Sequence, residues 1–395
     1  MTATMANVDA ALKDDYQPLI REQLRNYWML LMQIESNSKD VRGRQAVLSL
    51  HVGRNSGVGA RAAGAALPAA GRQSYAEQRV AIIRNYARIG IDGDLIEASA
   101  SDDGAFDRML EAELKGAMTD LKNDVSRQLF NDSTKSIAQC GVTSASTTVV
   151  LTTPTVIQLK QLSVGMKVDI GTTADYDAVV AGAEITAVDR VGGTITIDSA
   201  VTTTASHYIT RAGSDGNELT GLREIVAASG TFQNVDPSVV PEWKSTVNST
   251  GGSPTEALFE KVIEDINFES DADVNLLVTT RGVRRAFVGT LQAQKRFVDN
   301  VNIQGGFKAV TISAGNVEVP LVVDNDCPAA TAFFLNTSHL KQHQMGTSWS
   351  FMDRDGTTLK YVHGYDQYEA VIYNYHQLTT DRRNAHGVAT GLTEA

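Results

Sequence analysis

The chain is poor in several features that would mark common classes of protein. It has two cysteines in 395 residues, Cys140 and Cys327, with no CxxC pair. That excludes a disulfide framework and a cysteine zinc site, and reads as two buried or indifferent thiols made in a reducing cytoplasm. No run of about 18 apolar residues occurs, so no segment reads as a membrane-spanning helix. Asp9, Asp14 and Asp15 stand where a secretory leader needs a basic start and an apolar stretch, so synthesis in the cytoplasm is expected. Positive charge is scarce: 35 Lys+Arg against 46 Asp+Glu leave a net charge of -11. A dedicated nucleic-acid reader needs positive surface, so that class is disfavoured.

What is present changes character along the chain. Ile20, Leu24, Tyr27, Trp28, Leu31 and Ile34 fall at helical spacing and predict a helix over 17–34, with Pro18 in its first turn. Strand-like runs follow at 44–52 and 78–91. Between them, 53–74 is rich in Gly and Ala and has no period, which is unusual inside a compact domain and reads as a projecting hairpin. Phe106, Leu110, Leu114, Met118, Leu121, Val125 and Leu129 trace one stripe of a long helix expected to reach Ala138, a rod of roughly 50 Å. Residues 146–212 are dominated by Thr, Val, Gly and Asp. They read as a small all-β module with strands at 164–170, 184–189, 194–198 and 208–211.

The C-terminal half is mixed. Ser253 to Glu256 reads as a capping box with Pro254 at the first helical position. A strand is expected at 275–279, a helix at 281–292, and further strands at 307–312, 317–323, 332–335 and 368–375.

The chemical motifs are weak. Gly57, Gly59 and Ala62 fit a dinucleotide fingerprint with Glu77 placed for a ribose, but Gly64, Pro68 and Gly71 interrupt the helix that must follow. His339 and His343 lack the glutamate of a zinc helix and read as solvated. Asp353 and Asp355 open like a calcium loop, yet Gly364 stands at the twelfth position, so an acidic turn is expected. The sequons at Asn131, Asn248 and Asn336 carry no meaning without secretion.

Charge placement says more. Residues 41–91 hold eight arginines, no lysine and one acid, Glu77, a net +7 that leaves -18 for the rest. The helix from 101 to 124 carries seven acids against three basic residues, a net -4. A basic hairpin and an acidic rod on one chain invite head-to-tail contact between copies. The expected contact set is Arg54, Arg61, Arg72 and Arg79 against Asp102, Asp103, Asp107, Glu111 and Glu113. A solvated basic loop and a phosphate-binding loop remain open alternatives.

These residues carry a family resemblance. Val52 to Arg61, Leu67 and Pro68, Gly71 to Gln73, Tyr86 to Ile91 and Ile96 to Ser99 resemble the extended loop and flanking strands of tailed-bacteriophage major capsid proteins. The acidic helix is similar to the spine helix of that family. Pro320 to Asp324, Asp326 to Pro328 and Phe333 to Ser338 resemble its axial domain.

The resemblance implies an α+β fold of the Hong Kong 97 type. Its parts are an N-terminal arm (1–43), an extended loop hairpin (44–91), and a peripheral domain with the spine helix (92–145). An inserted small β module (146–212), peripheral strands with a linker (213–254), and an axial domain with return strands (255–395) complete it. It implies a structural subunit rather than an enzyme, with no cofactor and no metal. Such a subunit self-assembles as hexamers and pentamers in the host cytoplasm into the icosahedral shell of a virion. Expected partners are other copies, double-stranded DNA held non-specifically, and portal, scaffolding or decoration proteins, with no membrane. An encapsulin-like compartment around protein cargo stays open as an alternative, and a nucleotide-dependent enzyme rests on 57–62 alone. Two departures stand out. Residues 41–91 lack the lysine that some relatives crosslink to an asparagine, and no long scaffolding segment precedes Arg44, so scaffolding is expected from another protein or not at all.

Overall fold

The structure, a computed structural model, describes residues 28–93, 103–152, 156–293, 300–303, 307–314, 317–346, 349–353 and 359–395. Of the helix expected over 17–34, the part before residue 28 lies outside these. Trp28 is not helical, and a single turn, Met29–Gln33, buries Met29 and Leu30. Strands β1 (Gln45–Gly53) and β2 (Ser74–Ala81) then form an antiparallel hairpin, in register from Gln45 opposite Ala81 to Gly53 opposite Ser74. The run expected as one strand over 78–91 is two. The chain turns at the buried Ile82, and β3 (Ile83–Asp92) leaves the hairpin for another sheet. One extended run cannot keep its ladder bonds with partners in two different sheets.

The long helix α1 is Asp103–Gln128, a rod of about 39 Å at 1.5 Å per residue, and stops ten residues short of the expected end. Its last turn tightens, with the Phe130 amide donating to the Arg127 carbonyl at 3.0 Å. The Asp132 carboxylate then accepts from the Thr134 amide at 2.9 Å, an alternative to helical bonding. The Leu129 carbonyl accepts from Leu222 at 2.7 Å, so the buried helix end is satisfied from another segment.

The expected β module begins at Ala138, eight residues earlier than the composition suggests. Its strands are β4 (Ala138–Gln139), β5 (Thr143–Val150), β6 (Lys167–Thr172), β7 (Asp175–Asp189), β8 (Thr194–Thr203) and β9 (Tyr208–Arg211), in the order β4-β9-β6-β7-β8-β5. The two ends of this sheet meet. Gly141 donates to the Val150 carbonyl at 2.7 Å and Thr152 to that of Gln139 at 3.0 Å, closing a six-stranded barrel. Closure removes the free edges that an open sheet would present. The interior is apolar, with Val149, Ile170, Ile185, Ile195 and Ile209 fully buried.

The C-terminal half is a seven-stranded mixed sheet with two helices. Its elements are β10 (Thr246–Asn248), α2 (Glu256–Ser270), β11 (Leu276–Thr279), α3 (Arg281–Ala293), β12 (Asn300–Ile303), β13 (Phe307–Ala314), β14 (Val317–Val323) and β15 (Thr331–Leu335). The N-cap of α2 is Thr255, whose hydroxyl accepts from Leu258 at 3.3 Å. The capping box expected at Ser253 is therefore displaced by two residues, and Pro254 precedes the cap. Phe259 of α2 packs 5.1 Å from Phe287 of α3 and 5.6 Å from Phe334 of β15, fixing both helices on the sheet.

Strand β16 (Leu340–Gln344) pairs with the long β17 (Gln367–Thr380), which also holds β3 from Gln367 opposite Asp92 to His376 opposite Ile83. The last strand, β18 (Gly387–Thr390), returns between β10 and β15. The histidines expected to be solvated are not. His343 lies in β16 at 1% exposure, and His339 is half-buried against Asp381 at 2.8 Å. A strand and a turn, rather than a helix face, carry them, and neighbouring strands cover what a lone helix would expose.

Candidate intersubunit interface

The hairpin is rigid at its root and bare at its tip. Gln78, fully buried in β2, shares its amide protons among Gln233 Oε1 (2.7 Å), Thr379 Oγ1 (2.9 Å) and the Thr380 carbonyl (2.9 Å). The Arg79 amide donates to the Gln233 carbonyl at 3.0 Å. These bonds tie the root to β17 and to the segment that follows the barrel. Beyond Gly53 regular structure ends, as expected, and resumes at Ser74.

One local device shapes the loop between them. Asn55 Oδ1 accepts from the Gly57 amide at 2.7 Å, and Gly71 of the returning leg crosses at this turn. A Cβ on Gly71 would stand 2.2 Å from Asn55 Oδ1 and 2.6 Å from the Gly57 nitrogen, so only glycine permits the crossing. The glycine of the dinucleotide-like fingerprint thus serves a close approach between two legs of one loop.

Arg54, Arg61, Arg72 and Arg79 are all exposed. Arg79 pairs with Glu77 of its own strand at 2.9 Å, both half-exposed, a contact of little stabilising value. Among the described residues, Arg54, Arg61 and Arg72 have no acidic partner in their own chain. Of the expected acidic counterparts, Asp102 lies outside the described residues. Asp103, Asp107 and Glu111 sit on α1, and Glu113 on α1 is exposed. No ion pair or hydrogen bond brings Glu113 to any of the four arginines within one chain.

Two buried charge sites elsewhere in the chain were not legible in the sequence. Arg127, near the end of α1, pairs with Glu218 and, at 3.2 Å, with Asp124, while Arg211 reaches Asp124 at 3.4 Å. Burial alone would push the Asp124 carboxyl up. Arg127, Arg211 and the Gln128 amide outweigh it and hold the group below the usual carboxylate range.

Arg383 is 1% exposed and spends its five N–H donors on the carbonyls of Ile225, Gly230, Trp243, Glu224 and Ser229. Burial lowers it to about 10, with Glu224 offsetting part of that effect. It pins the 222–245 segment under the hairpin root. In sequence it is one of two adjacent arginines, with nothing to set it apart from the half-buried Arg382.

The two thiols are buried and free, and burial raises Cys140 to about 12. Asp326 accepts from Ser126 of α1 at 3.0 Å and from Gln161 of the barrel at 3.4 Å, while Asp324 accepts from the Leu30 amide at 3.0 Å. That turn joins three parts of the chain. Among the described residues, no cluster of three His, Cys, Asp or Glu side chains is placed to hold a metal ion.

No family model matches the sequence, and no curated protein matches it significantly. Solved structures do match over the whole chain. The capsid asymmetric unit of cyanophage A-1(L) is 13% identical with a TM-score of 0.59, covering 99% of this chain and 100% of that one. The capsid of the native GTA particle is 11% identical with a TM-score of 0.52, covering 100% and 99%. The holo-SrpI encapsulin of Synechococcus elongatus PCC 7942 is 9% identical with a TM-score of 0.51, covering 100% and 96%. The chain therefore has the mixed helix-and-sheet fold that these phage-capsid and encapsulin shells share.

Proposed function

We propose that the chain is a structural shell subunit, the major capsid protein of a tailed bacteriophage, which self-assembles around double-stranded DNA. One observation carries this reading. A hairpin anchored at its root bears three exposed arginines with no acidic partner among the described residues of their own chain, on a fold that builds closed particles in the solved relatives. Arginine suits bidentate carboxylate pairing, and the remaining chain is strongly acidic.

In this reading the hairpin is the extended loop and α1 the spine helix. The seven-stranded sheet with α2 and α3 is the axial domain, and the barrel is an insertion. Arg54, Arg61, Arg72 and Arg79 meet the acidic surface of an adjacent copy, with Asp102, Asp103, Asp107, Glu111 and Glu113 as its helical part. Copies join head to tail into hexamers and pentamers, since a heterologous contact closes into rings when its rotation permits. Portal, scaffolding and decoration proteins are further partners, and assembly takes place in the host cytoplasm.

Substituting Arg54, Arg61 and Arg72 together by glutamate tests the reading. Negative-stain microscopy should show no shells from a subunit whose melting temperature is unchanged. Normal particles from that variant would remove the electrostatic basis. The encapsulin match gives a second reading, a compartment around protein cargo. The contents of purified particles decide between nucleic acid and protein.

A further inference from the structure

Helix α3 divides its surface between an apolar side and a basic one. Val283, Phe287 and Leu291 are buried in the core that α3 shares with α2 and the seven-stranded sheet. Arg281, Arg284 and Arg285 are exposed, and steps of three and four residues set them on one side of the first two turns. From Val274 to Ala293 the chain holds these three arginines and no acidic residue.

The cluster lacks counter-charge. Arg284 and Arg285 make no hydrogen bond or ion pair among the described residues. The Arg281 guanidinium makes one bond, from Nε to the Asn325 side-chain oxygen at 3.0 Å. Like charges at this spacing repel, and the positive end of the helix dipole adds to the repulsion. An acidic side chain does reach the start of α3, but it answers other groups. The Glu394 carboxylate accepts from the Thr280 hydroxyl at 2.6 Å and from the Ala330 amide at 2.8 Å, and it forms no ion pair with the three arginines.

The surroundings select the partner. Outside 41–91 the chain carries a net -18, so most of its surface repels a polyphosphate. Helix α2, packed beside α3, carries Glu260, Glu264 and Glu269, and its Lys261 already pairs with Asp265 at 2.7 Å. A shell that holds nucleic acid behind such a surface needs a basic site facing inward, and α3 supplies one.

We propose that Arg281, Arg284 and Arg285 form a phosphate-backbone contact to double-stranded nucleic acid, which turns this face of α3 toward the interior of the shell. The proposal rests on the shell reading and names the surface that meets the contents. Guanidinium forks pair bidentately with phosphate oxygens. A duplex presents one negative charge per about 1.7 Å of axis, so three arginines within two helical turns meet phosphates without any base being read. Three charges beside an acidic helix give a weak contact independent of sequence, which lets the duplex slide along the wall.

Chemical modification of arginine in filled and empty particles tests the contact, with a small dicarbonyl reagent and mass spectrometry of each site. The three arginines should react several-fold faster in empty particles than in filled ones. Equal reactivity in both puts α3 on the outside and overturns the proposal. Equal protection in both makes the face a contact between copies and overturns it as well. The salt dependence of duplex binding by the full chain gives a second measure. Arg281→Gln, Arg284→Gln and Arg285→Gln together should flatten the slope of log K against log salt by about 2.7, or about 0.9 per phosphate contact. Between about 50 and 200 mM salt the unmodified chain should lose roughly 40-fold more affinity than this variant. The matching lysine variant should keep the slope, since it keeps the charge. An unchanged slope in a glutamine variant of unaltered melting temperature sinks the proposal and leaves the shell reading standing. Failure of the unmodified chain to form any particle overturns the shell reading itself.

Discussion

The barrel and the hairpin each form a sheet of their own, and they treat their strand edges in opposite ways. The barrel closes its sheet, fills itself with isoleucine and valine, and leaves no free edge. Among the described residues, the hairpin loop has no core, keeps one strand edge open, and carries arginines without acidic partners of their own. A barrel of this kind is complete in one chain. In the proposed reading the hairpin acts only when another surface meets it, so stability would belong to the first and association to the second.

The largest break in this comparison is expected at the joint between body and barrel. Arg127→Met would leave Glu218 buried without its cation and Asp124 with only the half-exposed Arg211, a loss of about 3–5 kcal/mol measurable by chemical denaturation. A loss below about 1 kcal/mol would mean that solvent reaches the site. Within the barrel, Ile185→Ala should cost about 2–5 kcal/mol through transfer and cavity terms. The expected readout is faster amide exchange across β6 to β8, with exchange in α2 and β15 unchanged. Coupled loss of both regions would show that the barrel does not stand alone.

Acid should act on the body first. Burial pushes His376 and His386 down to about 3, from an ordinary value of 6.5. A histidine whose folded pKa is depressed stays neutral in the native state while the unfolded chain takes up a proton. Its contribution is therefore complete above pH 6.5 and is lost as pH falls from 6.5 toward 3. Each histidine contributes a slope of about 1.4 kcal/mol per pH unit in that window. Both lie outside the barrel, so melting followed against pH should show the body failing while exchange protection in β6 to β8 persists. A pH-independent melting temperature between 6 and 4 would contradict the burial of these rings.

The smallest effect on stability should come from the loop. Gly71→Ala drives a Cβ against Asn55 and Gly57, yet the segment is solvated and can open, so the melting temperature should move by less than the equivalent of about 1 kcal/mol. Particle yield is the sensitive measure, because an opened loop must be reordered on docking. Unchanged yield would show that the crossing at Gly71 has no role in association.

Part of this molecule was decided locally. The apolar stripes of α1 and α2, the alternating aromatics of β17, the break in pattern at 53–74 and the excess of arginine there follow from residue spacing and composition. They could be read because they depend on neighbours within a few positions. The separation of charge between hairpin and body is likewise a property of the chain itself.

What needed the tertiary structure was every choice made between distant segments. The end of α1 is set by Leu222 reaching Leu129, the division of 78–91 by two competing sheets, and the closure of the barrel by Gln139 meeting Thr152. Arg127 and Arg383 look like ordinary surface arginines until the fold encloses them with their partners. His343 and His376 are buried where β17 pairs with β16 on one side and β3 on the other. Such outcomes depend on the free energy of bringing remote groups together in a low-dielectric interior, which no local pattern encodes.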